Sequence, residues 1–233
     1  FWTAASFVAA AGAALATLRA LTPDTLAPLL FAGAALILSI CLASMGIHKF
    51  FGRPVSWRLT ALITGLGFTG QCFFIFVYDS FRARMTVFTS AQALPMLLSL
   101  KLLLSPHQGR VNPGARLAGI VTVLILAIFA GRLLGALTGM AGGFSYTHFS
   151  PLQSMVILVL VFLSMALNFG FLLMAMDRLR NEVADLALLD DLTGAGNRRH
   201  LVQRLTEECA RSERSGQPFA LLVIDLDGFK GIN

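Results

Sequence analysis

Up to Met176 the apolar residues come in blocks, each long enough to cross a bilayer as a helix. About 20 such residues cover the roughly 30 Å of hydrocarbon, and only a helix satisfies its own backbone there. Six blocks qualify: Trp2 to Leu21, Leu26 to Ile47, Leu59 to Tyr78, Met85 to Leu104, Leu117 to Met140 and Leu152 to Met176. Gly, Pro, Ser and basic residues separate them, so the pattern predicts a multi-span α-helical membrane module over residues 1–176. The chain opens on Phe1 and Trp2, inside an apolar block and without an initiator Met, so further residues are expected upstream. No small-residue cleavage site of a signal peptide is apparent.

From Leu172 the apolar positions narrow to a stripe at Leu172, Met176, Leu179, Val183 and Leu186, with spacings of 4, 3, 4 and 3. That is the a/d repeat of a coiled-coil seam, and it predicts a signalling helix over 177–190 and a parallel homodimer through the helix 172–190. A lone helix packing on its own domain gives the same stripe. Beyond it, Gly194 and Gly196 break the helix. Asn197 is placed to cap a new one running to about Ser215, with Leu201, Leu205 and Cys209 on one face. After a turn at Ser215–Pro218, the unbroken apolar run Phe219 to Ile224 predicts a central strand covered on both faces.

Composition agrees with the pattern: 56% of residues are hydrophobic and 13% charged, far outside the soluble range. Residues 1–176 carry net +8 and residues 177–233 net −2. The basic residues sit between apolar blocks rather than on one face, which argues for membrane orientation and against nucleic acid as a partner. The connections holding Lys49, Arg53 and Arg58, and Arg110 and Arg116, are purely basic and are predicted to be cytoplasmic. Alternation then puts the segment after Met176 in the cytoplasm and the whole in a bacterial inner membrane. The connection with Asp79, Arg82 and Arg84 carries net +1 on the predicted outer side, a departure from that rule. Cys41, Cys72 and Cys209 have neither metal-ligand nor disulfide spacing.

Within the blocks, Arg132 is a candidate sensor residue, or it snorkels from near its helix end. Gln71 and Gln92 either line a cavity or hydrogen-bond between helices. Tyr146 and His148 lie in an outer connection, and Gly65, Gly67 and Gly70 are expected to permit close helix packing. None of these specifies a stimulus.

The soluble start carries more chemistry. Asp225 and Asp227 end the predicted strand and are followed by Gly228, Phe229 and Lys230. Carboxylates beside backbone N–H groups and a lysine suit a metal-bound polyphosphate, although paired aspartates also cap helices. Gly194-Ala195-Gly196 has no phosphate-loop pattern. The run Asp190-Asp191-Leu192-Thr193-Gly194-Ala195-Gly196-Asn197-Arg198-Arg199 resembles the DxLTGLxNRR opening of GGDEF domains. The run Asp225-Leu226-Asp227-Gly228-Phe229-Lys230-Gly231-Ile232-Asn233 resembles their DxDxFKxIN segment. The one clear departure is Ala195, where the family usually has Leu.

That resemblance covers roughly Asp185 to Asn233. It implies the N-terminal part of an α/β GGDEF (nucleotide-cyclase palm-like) domain over 191–233. It further implies condensation of two GTP into cyclic di-GMP with loss of two pyrophosphates. Asp225 and the Leu226 carbonyl would ligate Mg²⁺ (or Mn²⁺). Gly228, Phe229 and Lys230 would take the triphosphate, and Asn233 the guanine edge. Asp190, Leu192, Thr193, Gly194, Asn197, Arg198 and Arg199 would form the structural motif, with Asp227 supporting its own loop. The GG(D/E)EF turn is not within the 233 residues, so no catalytic set is complete here and the fragment alone is expected to be inactive. The leading expectation is a membrane-bound sensory diguanylate cyclase with GTP, the lipid bilayer and a second copy as partners. The alternatives are a degenerate GGDEF domain acting as a GTP-sensing or cyclic di-GMP-binding regulator, with or without an EAL phosphodiesterase domain after it, and a transporter or channel with a regulatory tail.

Overall fold

The computed structural model describes residues 1–18, 26–105, 112–138, 151–186, 188–190 and 192–224. Among them are seven helices: α1 Trp2–Leu18, α2 Leu26–Phe50, α3 Trp57–Phe76, α4 Phe81–Leu104, α5 Pro113–Thr138, α6 Pro151–Leu186 and α7 Arg198–Ser215. The chain divides into two compact units, Phe1–Asp177 and Arg178–Asn233.

Helices start where the backbone is satisfied rather than where hydrophobicity begins. The Ser56 side chain accepts the Leu59 N–H at 3.2 Å, and the Ser80 side chain that of Ala83 at 3.4 Å. Asn112 Oδ1 accepts the Ala115 N–H at 2.9 Å while Pro113 takes the first helical position, where its missing N–H costs nothing. These caps set the start of α4 back from Met85 to Phe81, and that of α5 from Leu117 to Pro113.

Five helices, α2 to α6, are long and apolar enough to cross a membrane, against six expected. The difference is α1, described over 17 residues. At 1.5 Å per residue that is about 25 Å, short of the hydrocarbon thickness. It is a shorter apolar helix among the described residues.

In the first unit α2 packs against α1, α3 and α4, and α4 packs against α3 and α5. The Ser44 and Ser99 hydroxyls join α2 to α4 across 2.6 Å. At the same end, Ile47, Leu103, Ala115, Ala118, Phe171 and Met174 form one buried cluster from α2, α4, α5 and α6. Small residues set the tightest approach. A Cβ on Gly114 of α5 would lie 2.5 Å from the Met174 backbone nitrogen, and one on Gly170 of α6 would lie 3.0 Å from the Ala118 Cβ. Gly67 and Gly70 do sit close under α2 and α4: Cβ atoms there would lie 2.7 Å from Ile37 Cδ1 and 2.9 Å from Val87 Cγ1. Gly65 faces open space, so the packing role expected of it is not found.

The expected strand is not formed. Residues 216–224 are neither helix nor strand, and Leu222, Val223 and Ile224 are 82%, 78% and 78% exposed. A strand requires a neighbour to take its N–H and C=O groups. No strand runs beside this segment among the described residues, so the α/β part of the expected fold is not seen there.

Candidate functional site

The residues expected to hold metal and nucleotide, Asp225, Leu226, Gly228, Phe229, Lys230 and Asn233, lie outside the described residues, as does Asp227. The described part of the site is the turn and helix preceding them.

The turn is organised by one carboxylate oxygen. Asp190 Oδ1 accepts the Thr193 hydroxyl at 2.8 Å, the Thr193 N–H at 3.0 Å and the Leu192 N–H at 3.2 Å. An aspartate whose side chain replaces a backbone acceptor closes the chain on itself without a helix or a strand. The backbone seals the same loop: Asp190 N–H donates to the Ala195 carbonyl, Gly194 N–H to that of Asp190, and Asn197 N–H to that of Leu188, all within 2.9 Å. A bridge between Leu189 and Gly196 completes the closure. Gly194 stands at φ +67°, the left-handed region where a side chain would be strained.

These bonds have an electrostatic consequence. The Thr193 hydroxyl first, and then the Thr193 N–H, hold the Asp190 carboxyl below its ordinary value of 3.8. Donors directed at the ionised form favour it.

Asn197 then starts α7. Its Oδ1 accepts the Arg199 N–H at 3.0 Å and the His200 N–H at 3.1 Å, as its sequence position predicts. A Cβ on Gly196 would run into the His200 ring and displace it from beside that cap. Gly216, at φ +66°, ends the helix where the turn was expected. Arg198 and Arg199 open the helix and are exposed, as is Leu192. Leu205 is half-buried, while Leu201 and Cys209 on the same face are exposed. Ala195 is exposed too, so the smaller side chain leaves no hole in the described turn.

Thr193, expected in the structural motif by the resemblance, both donates to Asp190 and accepts the Ala195 N–H at 3.3 Å. Its spacing of three from an aspartate, followed by glycine, was the available signal.

In the first unit Gln71 and Gln92 are buried, and Gly33 of α2 leaves room for the Gln71 amide. Arg132 is half-buried, six residues before the end of α5. Buried hydroxyls on Ser44, Thr89, Ser99 and Thr122 share that interior and were not singled out, because hydroxyls barely register in an apolar average. Tyr146 and His148 fall outside the described residues. Among the described residues no three His, Cys, Asp or Glu side chains gather as a metal site.

Residues 187–233 match the family described as Diguanylate cyclase, GGDEF domain. Diguanylate cyclase DgcP of Pseudomonas aeruginosa is 51% identical over 47 residues, 20% of this chain and 7% of that protein. Diguanylate cyclase DgcS of Shewanella oneidensis is 42% identical over 52 residues, 22% of this chain and 18% of that protein. Response regulator PleD of Caulobacter vibrioides is 42% identical over 60 residues, 24% of this chain and 13% of that protein. The chain thus spans less than a fifth of the length of each of these relatives. No solved structure matches it. The motif around Asp190 and the capped α7 both fall within the matched stretch, and the protein is a GGDEF-containing one.

Proposed function

We propose that this chain belongs to a membrane-bound sensory diguanylate cyclase, with the GGDEF domain in the cytoplasm of a bacterium and a signal received at the membrane unit. The observation that carries this reading is the match over residues 187–233 to the diguanylate cyclase family. In the reaction, the 3′-hydroxyl of each GTP attacks the α-phosphorus of the other, and each attack releases one pyrophosphate. Each domain presents one GTP, so two copies face one another, and pairing through the helix 172–190 brings them together.

Asp225 and the Leu226 carbonyl would hold Mg²⁺ or Mn²⁺, which would supply positive charge against the triphosphate. The Gly228 and Phe229 backbone groups orient the phosphates, Lys230 neutralises them, and Asn233 hydrogen-bonds the guanine edge. Asp190, Leu192, Thr193, Gly194, Asn197, Arg198 and Arg199 build the entry to this site, joining the membrane helix to α7. The closed hydrogen-bonding of that entry supports a defined rather than a loose connection.

In the full-length protein, Asp225→Asn is expected to abolish Mg²⁺-dependent conversion of GTP to cyclic di-GMP while membrane insertion is unchanged. Turnover at the wild-type rate in that variant overturns the metal assignment. A wild-type protein that binds GTP or cyclic di-GMP without turnover refutes the enzymatic reading.

A further inference from the structure

Helix α6 runs unbroken over 36 residues and carries two stripes. One packs on its own bundle: Leu160, Leu163 and Leu167 lie against Met96, Val121, Ile125 and Phe129, while Gly170 and Met174 lie against α5. Two residues on from each of these stand Phe162, Met165, Phe169, Leu172 and Met176. Two residues turn a helix by about 200°, so this second stripe points away from the bundle. It extends upstream to Met155 and Leu158 and downstream to Leu179 and Val183. All nine residues are apolar, alternate in spacings of 3 and 4, and are between 55% and 64% exposed.

Exposure inside a bilayer needs no partner, because lipid covers apolar surface in any order. Lipid does not account for the whole stripe, because the 33 residues Pro151–Val183 rise about 50 Å as a helix, more than the roughly 30 Å of hydrocarbon, and the polar residues gather at the C-terminal end. Leu179 and Val183 stand among Arg178, Arg180, Asn181 and Glu182, with Arg178 and Glu182 ion-paired at 2.8 Å. Apolar a/d positions in that polar setting call for a protein surface, and the repeat that places them is already in phase at Met155. The side chains also suit two parallel strands. Leu158, Leu172 and Leu179 take d positions, and the β-branched Val183 takes an a position. No small-residue pattern marks the stripe, which fits a left-handed heptad crossing rather than a close glycine contact.

We infer that a second copy of this chain docks along the whole of this face, so that the dimer seam begins inside the bilayer at Met155 and runs without interruption to Val183. The inference rests on the proposed stalk pairing and extends it across the membrane. The partner that covers Leu179 therefore also covers Phe162.

Single cysteines at Leu158, Met165, Leu172 and Leu179 of the full-length protein test it. Cysteines at Ile157 and Ser164, exposed at the same depths but one residue off the stripe, are the controls. The wild-type chain, with its own Cys41, Cys72 and Cys209, sets the background. After oxidation in native membranes, all four stripe positions are expected to give several-fold more covalent dimer than Ile157 and Ser164. Crosslinking at Leu172 and Leu179 with Leu158 and Met165 at background overturns the inference and leaves the stalk dimer standing. Background yields everywhere overturn both. Equal yields on and off the stripe mean collision rather than a seam and likewise overturn it.

Discussion

Asp190 shows how much one side chain decides at the junction between the membrane helix and α7. A single carboxylate oxygen receives three donors, and they lower its pKa. A depressed carboxyl contributes stability that is fully present above its unfolded value, here 3.8, and is lost as pH falls through the lower folded value. Hydrogen-exchange protection of the Thr193 amide is therefore expected to be flat at and above about pH 5 and to decline only below the ordinary carboxylate range. In Asp190→Ala the protection is expected to be weak at every pH. Protection in that variant equal to wild type would show that the backbone bonds alone hold the turn. Much of this residue-scale structure was legible beforehand. Asn197 was expected to cap, and it does, because side-chain oxygens at helix starts act over three residues and need no tertiary context. The strand expected at Phe219–Ile224, by contrast, is not formed. Its apolar content indicates burial, but a strand exists only through a neighbour, and no local sequence supplies one.

Among the elements, α5 and α6 approach backbone to backbone. Gly114 lets the α6 backbone approach so nearly that a Cβ would meet the Met174 nitrogen and the Leu173 carbonyl carbon. Backbone atoms cannot swing aside as a side chain does, so Gly114→Val is expected to cost about 1–3 kcal/mol through overpacking. Gly65→Ala, facing open space in mid-helix, is expected to gain roughly 0.5–1 kcal/mol from lost backbone freedom in the unfolded chain. Thermal unfolding in detergent should then move in opposite directions for the two variants. A shift of the same sign for both would refute the packing account. Hydropathy alone could not have ranked these glycines, because it records composition along one helix and not what lies across from it. The same limitation explains the helix ends. The apolar blocks located α4 and α5, while Ser80, Asn112 and Pro113 moved their starts outward by hydrogen-bonding and conformational preferences that an apolar average does not contain.

For the molecule as a whole, charge sets the expected orientation. Lys49 lies in the last turn of α2, Arg53 in the connection that follows and Arg58 in the first turn of α3, while Arg116 lies in the first turn of α5, at the end of the bundle where α6 also leaves. The opposite connection, which broke the simple rule, contains an ion pair: Arg84 Nη1 lies 2.8 Å from Asp79 Oδ1 and donates to the Phe74 carbonyl. Arg82 is exposed there, and with two arginines this connection remains a departure from the rule. Alkaline phosphatase, active only outside the cytoplasm, is expected to be inactive when fused after Ser215 and active when fused after Asp79. The reverse pattern would invert the topology.

The aromatic contacts at one end of the bundle bear on that orientation. Trp2 stacks on Phe171 at 4.8 Å and donates its indole N–H to the Ala43 carbonyl, while Trp57 lies 5.9 Å from Phe1. These are the two tryptophans of the sequence, and both lie at the N-terminal ends of α1 and α3. The tryptophan fluorescence of the 233 residues therefore originates beside a single leaflet. In sealed vesicles a quencher confined to one compartment meets both emitters from the same side, giving the unlabelled chain a built-in optical marker of sidedness.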